Sequence, residues 1–196
     1  TENYTRLAAL VDEVLDVVVV YQGEAAATSY YAISNGMTQT SEAVWGQSLP
    51  YLISVESTAD TNAEGYLSSV SYTEAQVESI FYTVFGIDTT AIAPSDYFGE
   101  IVFDTAGYVD TISLGGYATA GTLVRTAFAL RSSCFWVVYS AEDGLYTITT
   151  AGYGHGVGLS QWGAKFRADA GEDCASILAH YYPNTTLGSA SALEGA

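Results

Sequence analysis

Gly152-Tyr153-Gly154-His155-Gly156-Val157-Gly158-Leu159-Ser160-Gln161-Trp162-Gly163-Ala164 is the stretch on which the fold turns. Glycine takes every second position from Gly152 to Gly158, and a helical pattern opens at Ser160, where an N-cap is expected. Glycine gives up more backbone entropy than any other residue. This density therefore marks a chain that passes close to a ligand or through dihedrals other residues avoid. His155 is one of only two histidines. The plainest reading is a strand-to-helix connection carrying a buried, hydrogen-bonded histidine.

Outward from this run, Leu145–Thr150 reads as a strand feeding straight into it, paired with Cys134–Ser140 through the turn Ala141-Glu142-Asp143-Gly144. Downstream, Ser160–Ala170 and Asp173–Tyr182 read as closing helices, stopped by Gly171 and Pro183. Upstream, Thr119–Leu130 is expected to be helical with Leu123, Val124, Ala127 and Phe128 inward. Glu100–Thr105 and Tyr108–Ser113 form a hairpin through Ala106-Gly107. Thr73-x-x-Gln76 is a capping box opening a helix with Val77, Ile80, Phe81 and Val84 on one face, ended at Gly86. Residues 34–70 read as long loop with short strands. Val17–Tyr21 and Ala25–Ile33 read as a hairpin, preceded by a helix at 5–14 with Leu7, Leu10, Val11 and Val14 at helical spacing. Hairpins interspersed with helices, without βαβ alternation, indicate α+β: antiparallel hairpins with several packed helices in one domain over 1–187, and a flexible tail at 188–196.

The 196 residues suffice for one substantial core, and no apolar run is long enough for a membrane span. The chain opens on Thr1 rather than Met and reads as a processed or truncated piece, so the missing signal peptide does not argue for the cytosol. Net charge is −17, and 15 of the 22 acidic residues fall in 1–104, where Arg6 is the sole base. That half repels polyanions, which argues against nucleic acid as a partner. The signature half is closer to neutral and suits a largely uncharged polymer such as glycan.

The signature run closely resembles the GxGHGVGMSQ(Y/W)GA motif of the stage II sporulation protein D family, which includes the amidase enhancers. A second block is similar to the family pattern as well: Tyr30 through Gly36, Thr38, Ser41-Glu42, Val44-Trp45-Gly46 and Leu49-Pro50-Tyr51-Leu52. Leu130-Arg131-Ser132-Ser133 and Ile177-Leu178-Ala179-His180-Tyr181-Tyr182-Pro183 also match, so the resemblance spans about residues 7 to 187 in order. It implies an extracytoplasmic protein, secreted or wall-associated, whose partner is peptidoglycan glycan. The implied reaction is lytic transglycosylation, in which the MurNAc–GlcNAc bond is cleaved without water to a 1,6-anhydro product. It requires one carboxyl group that first protonates the leaving oxygen and then accepts a hydroxyl proton. In the family that glutamate sits in a helix before the stretch matched by Leu7–Val14, and no such segment occurs in this sequence. The catalytic residue is therefore unassigned, and whether the chain is an enzyme stays open. Alternatives are a non-catalytic module working with a cell-wall amidase, a partner to a separate N-terminal segment, or a structural surface component.

No cofactor is implied, and two cysteines with two scattered histidines do not make a metal site. As substitute acids, Glu42, Asp60 and Asp104 are candidates by type only. A His155–Ser160 nucleophile pair lacks an orienting acid. The expected substrate-binding residues are Tyr30, Ser34, Gly36, Trp45, Arg131, His155, Ser160 and Gln161, which supply aromatic faces and neutral hydrogen-bonding groups suited to sugar. Arg125 and Arg131 are scarce cations, able either to hold a lactyl or stem-peptide carboxylate or to pair with local acids. Because the family is exported, Cys134 and Cys174 are expected as a disulfide, with two buried thiols as the alternative.

Overall fold

A computed structural model describes residues 2–193. Helix α1 (Glu2–Val14) leads into β1 (Val17–Tyr21) and β2 (Glu24–Ala25), then β3 (Tyr30–Tyr31) and α2 (Ser41–Trp45). Next come a 3-10 turn at Thr58–Asn62, β4 (Leu67–Thr73) and α3 (Glu74–Ile80), which continues as a π turn through Phe85. The middle is β5 (Phe98–Phe103), β6 (Val109–Leu114), β7 (Tyr117–Ala120) and α4 (Gly121–Ala127). The last part is β8 (Phe135–Ser140), β9 (Leu145–Ala151), β10 (Leu159–Ser160), α5 (Gln161–Asp169), α6 (Cys174–Tyr181), β11 (Thr186–Ser189) and α7 (Ala190–Leu193). These form a single α+β domain with the strand orders β4-β9-β8, β5-β6-β7, β11-β1-β2 and the two-stranded β10-β3.

Two apolar clusters organise the domain. The larger gathers Val77, Phe81, Tyr97, Ile112, Leu114, Val124, Phe128, Phe135 and Ile148 between the β4-β9-β8 and β5-β6-β7 sheets and helices α3 and α4. The smaller gathers Tyr51, Leu52, Val157, Ile177, Tyr181 and Tyr182 under α6. Val157, from the signature run, belongs to the second cluster, whereas β9, which feeds that run, belongs to the first. The glycine run is thus the bridge between the two.

The Thr73 capping box forms, with Gln76 N–H donating to Thr73 Oγ1 and Thr73 N–H donating to Gln76 Oε1. The expected strand over Ala25–Ile33 does not. Gln22 and Gly23 turn at φ +53° and +89°, β2 ends after two residues, and the chain leaves to pair Tyr30–Tyr31 in parallel with Leu159–Ser160. The helix expected from Thr119 starts at Gly121, because Thr119 and its neighbours pair with β6. Gly121 lies so close to Val109 that a Cβ there would meet its carbonyl oxygen at 2.1 Å. In the expected tail, residues 188–193 are folded instead. Ser189 and Gly188 continue β11 against Val17 and Val18, satisfying the backbone of a four-valine strand, while 194–196 lie outside the described residues.

The expected disulfide is corrected. Cys134 and Cys174 are both free thiols. Cys134 is held beside β9, its carbonyl accepting from Ala151 N–H at 2.9 Å, and burial raises its thiol pKa. Cys174 is the exposed first residue of α6 and borders a groove with Val14 and Leu178, alongside the other cluster.

Candidate functional site

The signature glycines at 152, 154, 156 and 158 all have positive φ, and what they approach is the second sequence block. A Cβ on Gly158 would lie 2.1 Å from Ser29 O, and one on Gly154 would lie 2.6 Å from Tyr31 Cβ. Of the two expectations for this glycine density, the dihedrals other residues avoid are present, and the close approach is to residues 29–39 of the chain itself. Main-chain bonds stitch the two runs together. Tyr153 N–H donates to Ile33 O at 2.7 Å, Gln39 N–H to Gly156 O at 2.7 Å, and Trp162 N–H to Ala32 O at 3.1 Å.

His155 is thereby placed between Tyr31 and Trp45, with ring centroids 5.5 and 5.2 Å away. Val157 N–H donates to its Nδ1 at 3.1 Å, which leaves Nε2 as the protonated nitrogen, donating to Tyr30 O at 3.1 Å. Burial lowers its pKa below the ordinary value, against the opposing pull of the Tyr30 carbonyl and with further lowering from Arg125. The imidazole is neutral, with both nitrogens occupied by backbone. It sits at the half-buried edge of the site in contact with the Tyr30 block, and acts as a fixed strut.

Around that strut, exposed surface is aromatic and polar. Tyr30 is 64% exposed and Trp45 48% exposed. Thr40 and Gly46 cap α2, which holds Trp45 at its last turn. Gln161, the first residue of α5, is exposed. Arg131 lies with its guanidinium carbon 4.2 Å from the centroid of Tyr153, and its carbonyl accepts from Gly154 N–H at 2.9 Å. The signature thus borders an open shelf. A cavity of about 940 Å³ lies elsewhere, between Val84–Asp88 and Tyr117–Leu123.

Three expected contact residues sit beneath the shelf. Ser34 and Ser160 are fully buried and Gly36 is buried. Gly36, at φ +115°, closes a turn in which its N–H donates to Ser34 Oγ at 3.1 Å. Both serines converge on Asp60, which is itself fully buried: Oδ2 accepts from Ser34 N–H at 2.7 Å and from Ser160 Oγ at 2.5 Å. Ser160 Oγ also accepts from Gly163 N–H, capping α5. These groups cannot touch a polymer on the surface, so the His155–Ser160 pairing does not arise, and Asp60 is a hub rather than a substitute acid. Its Oδ1 and the hydroxyl of Tyr31 are buried without a partner among the described residues. Asp104 accepts from Ala106 and Tyr108 N–H and closes the β5–β6 turn. Glu42 is exposed on α2, three residues before Trp45. Tyr31, packed on His155, and Tyr153, under Arg131, join the candidate site although the sequence patterns did not single them out. Their adjacency to Tyr30 and His155 was the available signal.

Among the described residues no cluster of three or more His, Cys, Asp or Glu could hold a metal, and no helix is long and apolar enough to cross a membrane.

A glycine bridge that locks a neutral histidine beside the Tyr31 and Trp45 rings characterises this α+β domain. No family model matches the chain. Stage II sporulation protein D of Bacillus amyloliquefaciens is 31% identical over 96% of this chain and 53% of the relative, and that of Bacillus subtilis (strain 168) is 31% identical over 98% and 54%. The amidase enhancer of Bacillus subtilis (strain 168) is 27% identical over 90% of this chain and 32% of the relative. The chain belongs to the stage II sporulation protein D and amidase-enhancer family. It spans about half the length of the sporulation relatives.

Proposed function

We propose that this chain binds peptidoglycan glycan strands in an extracytoplasmic setting, as the substrate-holding part of a lytic transglycosylase-like fold, and does not itself cleave them. The observation that carries this reading is the exposed Trp45 ring, 5.2 Å from an imidazole locked by backbone bonds to the Tyr30 carbonyl and the Val157 N–H. Sugar rings stack on such faces while amide groups pair with their hydroxyls and acetamido groups. Within the signature, His155 has both nitrogens occupied and Ser160 is buried against Asp60, so neither supplies the proton that bond cleavage requires. The name of the amidase-enhancer relative supports a second form of the same reading, in which the bound strand is presented to a wall amidase.

Cosedimentation with purified sacculi tests it. Wild type should pellet with the wall, and Trp45→Ala should lose about tenfold in affinity at an unchanged thermal midpoint, since stacking of this kind contributes about 1 kcal/mol or more. Equal binding by both proteins would remove the shelf from the binding surface.

A further inference from the structure

We infer that Arg131, which lies over Tyr153, and Arg125, which carries a buried unpartnered Nε, form an anion subsite that takes a carboxylate carried by a muramyl residue of the strand. This rests on the wall-binding reading above and adds the chemistry of one contact. The chain carries 22 acidic residues against five basic ones, so a cation left without a carboxylate is against the statistics of its own surface. Among the described residues the ion pairs are Lys165–Asp169 and Arg167–Glu172; Arg125 and Arg131 have none. Arg125 is half-buried on α4, its Nε enclosed without a hydrogen-bond partner. Arg131 is half-buried, its guanidinium over the Tyr153 ring and its terminal nitrogens on the Gly65 side, where an added Cβ would make ordinary contact at 3.5 Å.

One turn of chain presents both. Leu130 N–H donates to Arg125 O at 2.8 Å across Ala129, which sits at φ +48°, and Arg131 O then accepts from Gly154 N–H. The main chain at Arg131 is thereby tied to the run that holds His155, and the charge of Arg125 is felt at both Tyr153 and His155. Withdrawing a guanidinium from water without a counter-ion is costly, and the arrangement is sensible where a ligand supplies the anion. The planar fork matches a carboxylate, through charge-assisted bonds. Muramyl residues carry one in either of two places. In peptide-free strands it is the lactyl carboxylate. In peptide-bearing strands the lactyl group is consumed in an amide, and the carboxylates belong to the stem peptide.

Binding of the intact chain is measured to peptide-free strands, to the same strands methyl-esterified, to peptide-bearing strands, and to chitotetraose, which has no carboxylate. Arg125→Gln and Arg131→Gln should each bind one carboxylate-bearing form about tenfold more weakly. Binding to esterified strands and chitotetraose should be unchanged, and Arg131→Lys should recover part of the loss. Whichever strand shows the loss identifies the source of the carboxylate. Matched thermal midpoints exclude misfolding, with Arg131→Lys as the reserve variant. Variants that weaken esterified and free strands alike, or neither, overturn the subsite. If wild type binds no glycan form, the wall-binding reading fails and the subsite falls with it.

Discussion

At the residue scale, Asp60 and His155 do opposite things with burial. Asp60 is a buried carboxylate that serves as acceptor for two segments far apart in sequence, the Ser34 turn and the Ser160 cap. Asp60→Ala would strand two buried donors, each costing about 1–3 kcal/mol, so a loss of about 3 kcal/mol in urea unfolding is expected. A change under 1 kcal/mol would mean that solvent or a rearranged side chain satisfies them. His155 is kept neutral, and its folded pKa lies below the ordinary 6.5. As pH falls the unfolded chain therefore takes up its proton first. The stabilisation from neutral His155 is complete above 6.5, declines as pH drops from there through the folded value, and is constant below it. The difference in stability between wild type and His155→Gln should shrink as pH falls from 7 to 5. A difference that grows on acidification would show an imidazole stabilised as its cation. What sequence could reveal here was divided. His155 and Trp45 announce themselves by type and setting, but nothing in the letters says that Ser34 and Ser160 point inward to a shared carboxylate. That depends on a parallel pairing between residues about 130 apart.

At the element scale, patterns with a local cause were readable and patterns with a distant cause were not. The Thr73 capping box, the β5–β6 and β8–β9 hairpins and the Ser160 and Asp173 caps all follow from residues within a few positions of one another. The short β2, the strand at 117–120 and the ordered β11 are decided by which partner arrives, and Thr119 alone does not disclose β6. The cysteines make the same point: both flank elements next to the signature, yet those elements pack on different apolar clusters. Two thiols should titrate in unreduced, denatured protein. In the native state Cys174, exposed at the head of α6, should react well ahead of Cys134, which is half-buried and raised in pKa. A single fast phase from both would contradict the placement of Cys134.

At the scale of the whole molecule, the glycine run couples two cores and holds the shelf between them. The signature contributes no free acid, Asp60 is enclosed, and Asp104 is spent on its turn. Glu42 remains, exposed near Trp45, in surroundings that do nothing to desolvate it. Incubation of the 196-residue chain with peptidoglycan, followed by mass analysis, should therefore yield no 1,6-anhydro muropeptides even where cosedimentation shows binding. Anhydro product abolished by Glu42→Gln would make this surface carboxylate the acid, and would require the strand itself to bury it on binding. Binding without product assigns the Trp45 surface to holding the strand rather than cleaving it.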